Sequence, residues 1–190
     1  MSESAATGDA TSERSADFAR VFASEDEFRA FYERTLPRIY GYLVHRCDGD
    51  ASVAEELTQQ TFIDAVRQRH AFDGRADPLT WLTAIARHKL ADHYRRRGNE
   101  ERRRLRLVVK EIAADNEGRA WSRIDEREAI MRALASLATL QRAVLVLHYA
   151  DGLSVREISG ELGKSESSIE SLMTRARDAF RRSYVEPTDV

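Results

Sequence analysis

The stretch that decides the fold is Leu153-Ser154-Val155-Arg156-Glu157-Ile158-Ser159-Gly160-Glu161-Leu162-Gly163-Lys164-Ser165-Glu166-Ser167-Ser168-Ile169-Glu170-Ser171-Leu172-Met173-Thr174-Arg175-Ala176-Arg177. Ser154 followed three residues later by Glu157 forms a capping box, which starts a helix. Ile158 and Leu162 share one face of that helix. Gly163 then permits the left-handed backbone that a sharp exit requires. After Gly163-Lys164-Ser165 a longer helix is expected from Glu166 to about Ser183. Ile169 and Leu172 or Met173 would pack it onto the first helix, with Ala176 and Phe180 continuing the stripe. Two helices joined by a short glycine turn suit a helix-turn-helix, whose second helix enters the major groove of duplex DNA. Ser167, Ser168, Ser171 and Arg175 are left on its outer face, and hydroxyls and guanidinium groups are suited to base edges. Glu166 and Glu170 are acidic on a helix that would approach phosphates; Ser167 to Glu170 is itself spaced like a capping box, which gives Glu170 a structural reading.

Upstream of this unit, a stripe of Trp121, Ile124, Met131, Leu134 and Leu137 predicts one helix, and Leu140–Tyr149 a compact apolar one. Further back, residues 95–110 carry eight basic side chains against Glu100 and Glu101, a local charge of +6, although the whole chain of 190 residues has net charge −2. Residues 1–34 balance this with eight acids against four bases. The contrast puts a basic segment between two patterned halves and points to nucleic acid.

The N-terminal half is also helical in pattern. Phe28, Phe31, Tyr32, Leu36, Ile39, Tyr40 and Leu43 recur at steps of three and four, with Pro37 expected to kink the run or start a helix. A second helix is expected from about Ala51 to Arg69. Phe72-Asp73-Gly74-Arg75-Ala76 reads as a loop. Asp77-Pro78 is a strong helix start, with an acid at the N-cap and proline in the first turn. The helix that follows carries Leu79, Leu82, Ile85, Ala86 and Leu90, and Gly98 is its expected stop. Its outer face holds Arg87, His88, Asp92, His93 and Arg95, with the aromatic Trp81. Cations interleaved with aromatic rings suit single-stranded nucleic acid, where charges follow the backbone and rings stack on bases. Phe72 and Trp81 are equally compatible with a core position.

Composition narrows the rest. Hydrophobic residues make up 42% and charged residues 33%, with 9 Gly and 3 Pro, which favours a helix-rich globular chain. One Cys excludes an internal disulfide and a cysteine-based zinc cluster. No apolar run reaches the roughly 20 residues of a membrane span, and the N-terminus lacks the apolar segment of a secretory signal. No phosphate loop, nucleophile elbow or catalytic carboxylate pair is present. His45 and Cys47 have no further partners at ligand spacing, so no metal or other cofactor is expected, and His148 reads as a packed surface histidine.

The fold expected is all-α, with two small helical domains joined by a flexible basic linker, the C-terminal one a helix-turn-helix. The boundaries are a disordered tail over 1–24, a first domain over 25–97, a linker over 98–120, a second domain over 121–184 and a tail over 185–190.

Two segments make a family likeness specific. Ala54-Glu55-Glu56-Leu57-Thr58-Gln59-Gln60-Thr61-Phe62 and Thr80-Trp81-Leu82-Thr83-Ala84-Ile85-Ala86-Arg87-His88-Lys89-Leu90-Ala91-Asp92-His93-Tyr94-Arg95-Arg96-Arg97 resemble region 2 of the sigma-70 family of bacterial RNA polymerase sigma factors. The helix-turn-helix, with Gln141-Arg142 upstream, resembles region 4. The order is right, and the length resembles the compact extracytoplasmic-function (ECF) subfamily. The resemblance implies a cytoplasmic, non-enzymatic protein that binds core RNA polymerase and directs initiation at −10 and −35 promoter elements. It implies that Glu55, Glu56, Gln59, Gln60 and Asp64 dock on the clamp helices of the largest polymerase subunit. It further implies that Phe72, Asp73, Gly74, Arg75, Trp81, Arg87, His88, Arg95 and Arg96 hold the melted −10 strand, and that Ser167, Ser168, Ser171 and Arg175 contact the −35 element. An anti-sigma factor is implied as a further partner. The family often has a basic residue where Glu170 stands, and another at Leu172. The rival readings are a free-standing helix-turn-helix regulator, which leaves the 54–97 segments unexplained, and a nucleic-acid-processing enzyme, which lacks a catalytic constellation.

Overall fold

A computed structural model describes residues 18–47, 49–108 and 126–184, with backbone alone for 105–108. The expectations for 1–17, for 109–120, for Trp121 and Ile124, and for the tail 185–190 lie outside these residues. Among the described residues the ordered structure is helical and no strand occurs. The chain divides into two compact units, 1–90 and 91–190.

In the first unit, α1 (Glu25–Val44) is capped by Ser24, whose side chain accepts from the Glu27 amide, with Glu25, Asp26 and Glu27 in the first turn complementing the helix dipole. Pro37 lies inside this helix and does not start a new one. Helix α2 (Ala51–Arg67) is capped by Asp50, which accepts from the Val53 amide at 3.1 Å. A 3-10 turn over Arg69–Ala71 follows, so α2 ends two residues earlier than expected. Helix α3 (Pro78–Val108) begins where Asp77-Pro78 predicts: the Asp77 carboxylate accepts from the amides of Leu79 at 2.9 Å and Thr80 at 3.1 Å. These hydrogen bonds, the one from the Thr80 hydroxyl foremost, hold the Asp77 carboxyl below the usual carboxylate range. The core of the unit is Phe18, Phe31, Ile39, Leu43, Leu57, Phe62, Leu82 and Leu90. Thr58 and Thr61 are buried with them because each hydroxyl donates to the carbonyl one turn back, at 2.6 and 2.7 Å.

Phe18 corrects the expected tail. It is 2% exposed, and its ring lies 5.6 Å from Phe31, 4.3 Å from Phe72 and 5.2 Å from Trp81. Residues 18–21 are helical and Phe18 belongs to the core, so the tail cannot run to residue 24.

In the second unit, α3 continues past Gly98, which was the expected stop. A Cβ on Gly98 would sit 2.5 Å from Leu140 Cγ, so glycine is there to let two helices approach and not to end one. The residues 98–108 are therefore helix and not linker. Helix α4 (Glu126–Ala135) is followed by α5 (Thr139–Leu145). The N-cap of α5 is Ala138, which has no side chain to cap with; Glu101 of α3 substitutes, accepting from the Thr139 amide at 3.1 Å. The apolar run expected as one helix over 140–149 changes at Val146 into a π-helical turn, Val146–Ala150. It ends at Gly152, φ +70°, and His148 Nδ1 lies 2.8 Å from the Leu153 carbonyl oxygen.

Helices α6 (Val155–Leu162) and α7 (Glu166–Ser183) form the helix-turn-helix. The capping box is present in both directions, the Ser154 hydroxyl accepting from the Glu157 amide and the Glu157 carboxylate from the Ser154 amide at 2.8 Å. Gly163 is left-handed at φ +60°. Ile158, Leu162, Ile169, Leu172, Met173 and Ala176 are buried between the helices and α5. The cap of α7 is Ser165, accepting from the Ser168 amide at 3.3 Å, and not Ser167, so Glu170 serves no capping box.

Candidate nucleic-acid interface

The outer row of α7 is laid out as its spacing requires. Ser167, Ser168, Ser171 and Arg175 are all exposed while the opposite row is core. Ser165 Oγ lies 2.8 Å from Ser168 Oγ and 3.2 Å from Ser167 Oγ, and Arg175 Nε donates to the Ser171 carbonyl at 3.2 Å. The row is thus a preorganised strip of donors and acceptors over the first ten residues of an 18-residue helix. It also lines an open pocket of about 350 Å³ with Arg102, Lys164 and Leu172, the first of which comes from α3. Arg102 was counted in the sequence only as linker charge, because nothing in residues 99–104 shows an apolar stripe that would announce a helix.

The first unit is built differently. Glu55, Glu56 and Gln59 are exposed along α2, and Gln60 donates to the Glu56 carboxylate at 2.8 Å. Asp64 stands apart from them: it pairs with Lys89 of α3 and, at 3.6 Å, with Arg67, and it is only 19% exposed. Its position makes it a brace between α2 and α3.

Phe72 is 5% exposed and Trp81, half-buried, packs against it at 5.6 Å, so the Phe72 ring faces Phe18 and Trp81 in place of solvent. Asp73 and Arg75 are exposed and paired with one another at 3.3 Å, and Gly74 is left-handed at φ +74°. Arg87 is half-buried, with its Nε atom out of solvent, and His88 is exposed. In the second unit Arg95 is held by Asp92 at 2.5 Å, and Arg96 is exposed.

The first unit is thus a helical body braced by buried threonines, and the second carries a helix-turn-helix, the element whose second helix enters the major groove in DNA-binding proteins. Comparisons with known proteins supply the family. Residues 31–100 match the family described as Sigma-70 region 2, and residues 127–180 that described as Sigma-70, region 4. The ECF RNA polymerase sigma factor SigK of Mycobacterium ulcerans (strain Agy99) is 33% identical over 159 residues, 82% of this chain and 83% of that protein. SigK of Mycobacterium tuberculosis (strain ATCC 25177 / H37Ra) is 32% identical over 167 residues, 85% of this chain and 87% of that one. Among solved structures, the Bartonella quintana sigma factor RpoE in complex with the anti-sigma factor NepR covers 83% of this chain and 96% of its own, at 21% identity and a TM-score of 0.49. On the sequence matches, the chain belongs to the sigma-70 family, among its ECF RNA polymerase sigma factors. Its function is that of the family: promoter recognition with RNA polymerase. Among the described residues no helix is long and apolar enough to cross a membrane.

Proposed function

We propose a division of labour within this function. Helix α7 reads the −35 element as duplex, through Ser167, Ser168, Ser171 and Arg175. The loop Phe72–Asp77 and the adjoining face of α3, with Arg87, His88, Arg95 and Arg96, hold the melted −10 strand. The exposed face of Glu55, Glu56 and Gln59 docks on the polymerase clamp helices. Within this reading the chain contributes no catalysis, acts in the cytoplasm beside its polymerase, and is a target for an anti-sigma protein, as the named complex of RpoE suggests by analogy.

The observation that carries the reading is the two-sidedness of α7. Ile169 and Ala176 are wholly buried on one side while all four proposed contacts are exposed on the other. A helix in a plain bundle has no need of an ordered row of hydroxyls capped by Ser165. For the −10 segment the support is narrower, since Phe72 and Trp81 are committed to the aromatic cluster. They are proposed as the wall that fixes the loop, and the exposed Asp73 and Arg75 as its contact surface. Gel-shift titration of holoenzyme on duplexes with substituted −35 bases tests the α7 assignment. Arg175→Ala is expected to cost roughly 1–3 kcal/mol and to relax preference at one base position. Unchanged affinity and unchanged preference would remove α7 from the reading face.

A further inference from the structure

Phe18 lies ahead of the Sigma-70 region 2 match, which begins at residue 31. Its ring is nevertheless the hub of an aromatic cluster. The ring centroid lies 5.0 Å from Phe22, 5.6 Å from Phe31, 4.3 Å from Phe72 and 5.2 Å from Trp81. Phe72 opens the loop over 72–77, and Trp81 stands in the first turn of α3 just after it. Both ends of the loop therefore meet one ring, and the closest of the four neighbours is the residue at the mouth of the loop. Between those ends the Asp73 and Arg75 side chains are exposed, and Gly74 turns the chain at φ +74°. Asp77 caps α3 and so fixes the C-terminal end of the loop, but Phe72 needs a separate hold. Phe18 is itself held from behind. The Phe22 amide donates to the Ala19 carbonyl at 3.2 Å and the Ala23 amide to the Arg20 carbonyl at 2.8 Å, and Ser24 directly caps α1. The ring thus stands on a short turned segment continuous with α1.

We infer that Phe18 is a positioning residue for the −10 site, supplied from outside the matched region. Its ring clamps Phe72 beside Trp81 and presets the loop over 72–77 for an unstacked base of the melted strand. The inference rests on the proposal that this loop holds that strand. Phe18 touches no DNA itself; it acts through Phe72. Filling the core asks only for apolar bulk, whereas fixing the tilt of two neighbouring rings asks for a third ring, because aromatic pairs prefer particular geometries. A loop that is competent for only a fraction of the time binds more weakly by that fraction, and a clamped loop escapes this loss.

The test titrates holoenzyme with a single-stranded oligonucleotide carrying the −10 element of a promoter that the holoenzyme selects. Phe18→Leu keeps an apolar side chain and removes the ring. Leu43→Ala is the control: Leu43 is wholly buried in the same unit and lies about 18 Å along α1 from Phe31. Both variants are measured well below their denaturation midpoints, with helix content and retention on core polymerase as checks of the fold. Phe18→Leu is expected to weaken oligonucleotide binding about tenfold, the loss for a loop competent about one-tenth of the time. It is also expected to speed amide hydrogen exchange over residues 73–76. Leu43→Ala is expected to change neither. Should Phe18→Leu fail the fold check, Phe18→Met, whose flexible side chain refills the space without a ring, is read in the same two ways. Equal loss of affinity in the Phe18 variant and in Leu43→Ala would leave Phe18 a core residue only and overturn the inference. Unchanged exchange in the Phe18 variant would overturn the clamp and spare the −10 reading of the loop. A wild-type holoenzyme with no preference for the −10 oligonucleotide over a scrambled one would overturn both.

Discussion

Helix α7 and the Phe72–Trp81 segment are both proposed to contact DNA, and their side chains are disposed in opposite ways. On α7 the core row and the contact row are different residues, so packing leaves the contacts exposed. At Phe72 and Trp81 the same rings that would stack on a base are packed on Phe18 and on each other. An aromatic residue has the same signature in sequence whether it serves a core or a base. A serine on a helix with a filled apolar face does not, because burying its hydroxyl there would need a partner.

That contrast can be broken most forcefully at Phe18. Phe18→Ala is expected to destabilise the first unit by about 3–5 kcal/mol, seen as a lowered denaturation midpoint. Ser168→Ala at an exposed helix position is expected to stay within about 0.5 kcal/mol. Comparable losses for the two would mean that the aromatic cluster is not the core of its unit.

Gly98 sharpens the comparison in the second unit. Alanine has a better helix propensity than glycine by about 0.8–1.0 kcal/mol. At this position its methyl meets Leu140, and overpacking of this kind costs about 1–3 kcal/mol. Gly98→Ala is therefore expected to lower stability on thermal unfolding; a gain would show that α3 does not approach α5 there.

Caps give smaller effects. Ser154→Ala should cost about 0.5–2 kcal/mol by removing the box that starts α6. At Asp77 the effect depends on pH. Its folded-state pKa lies below the unfolded value near 3.9. Its contribution is therefore fully present above about pH 4 and is lost as pH falls through the folded pKa. The stability gap between wild type and Asp77→Ala should close in that window, and a gap that is constant down to pH 2 would assign the cap to another group.

Much of this was legible because it is local. Asp77-Pro78, Ser154 with Glu157, and Gly163 each specify a backbone event within four residues, and each falls where the sequence places it. What was not legible depends on a distant neighbour. Gly98 has the local signature of a helix stop, and only Leu140, far along the chain, shows that it is a contact. Glu101 and Arg102 sit in a charged run with no apolar stripe, and their roles come from Thr139 and from the pocket with Lys164. Phe18 follows a polar tail and shows its place only when Phe72 and Trp81 are packed against it. The apolar run after Leu140 has helical spacing, and the change to a π turn at Val146 leaves no mark in residue type. For the candidate contacts, the exposed row of α7 was readable from periodicity, whereas Asp64, grouped by the family resemblance with Glu55, Glu56 and Gln59, is paired to Lys89 of the next helix.

The most direct measurement is run-off transcription with purified core polymerase on a promoter selected by the reconstituted holoenzyme. The chain is expected to give a specific transcript that is absent with core enzyme alone. Glu56→Arg with Gln59→Ala should abolish it together with retention of the chain on core polymerase in pull-down, with helix content unchanged. A chain that binds the promoter duplex tightly by itself and gives no transcript with core enzyme would contradict the account and leave a free-standing duplex-binding regulator.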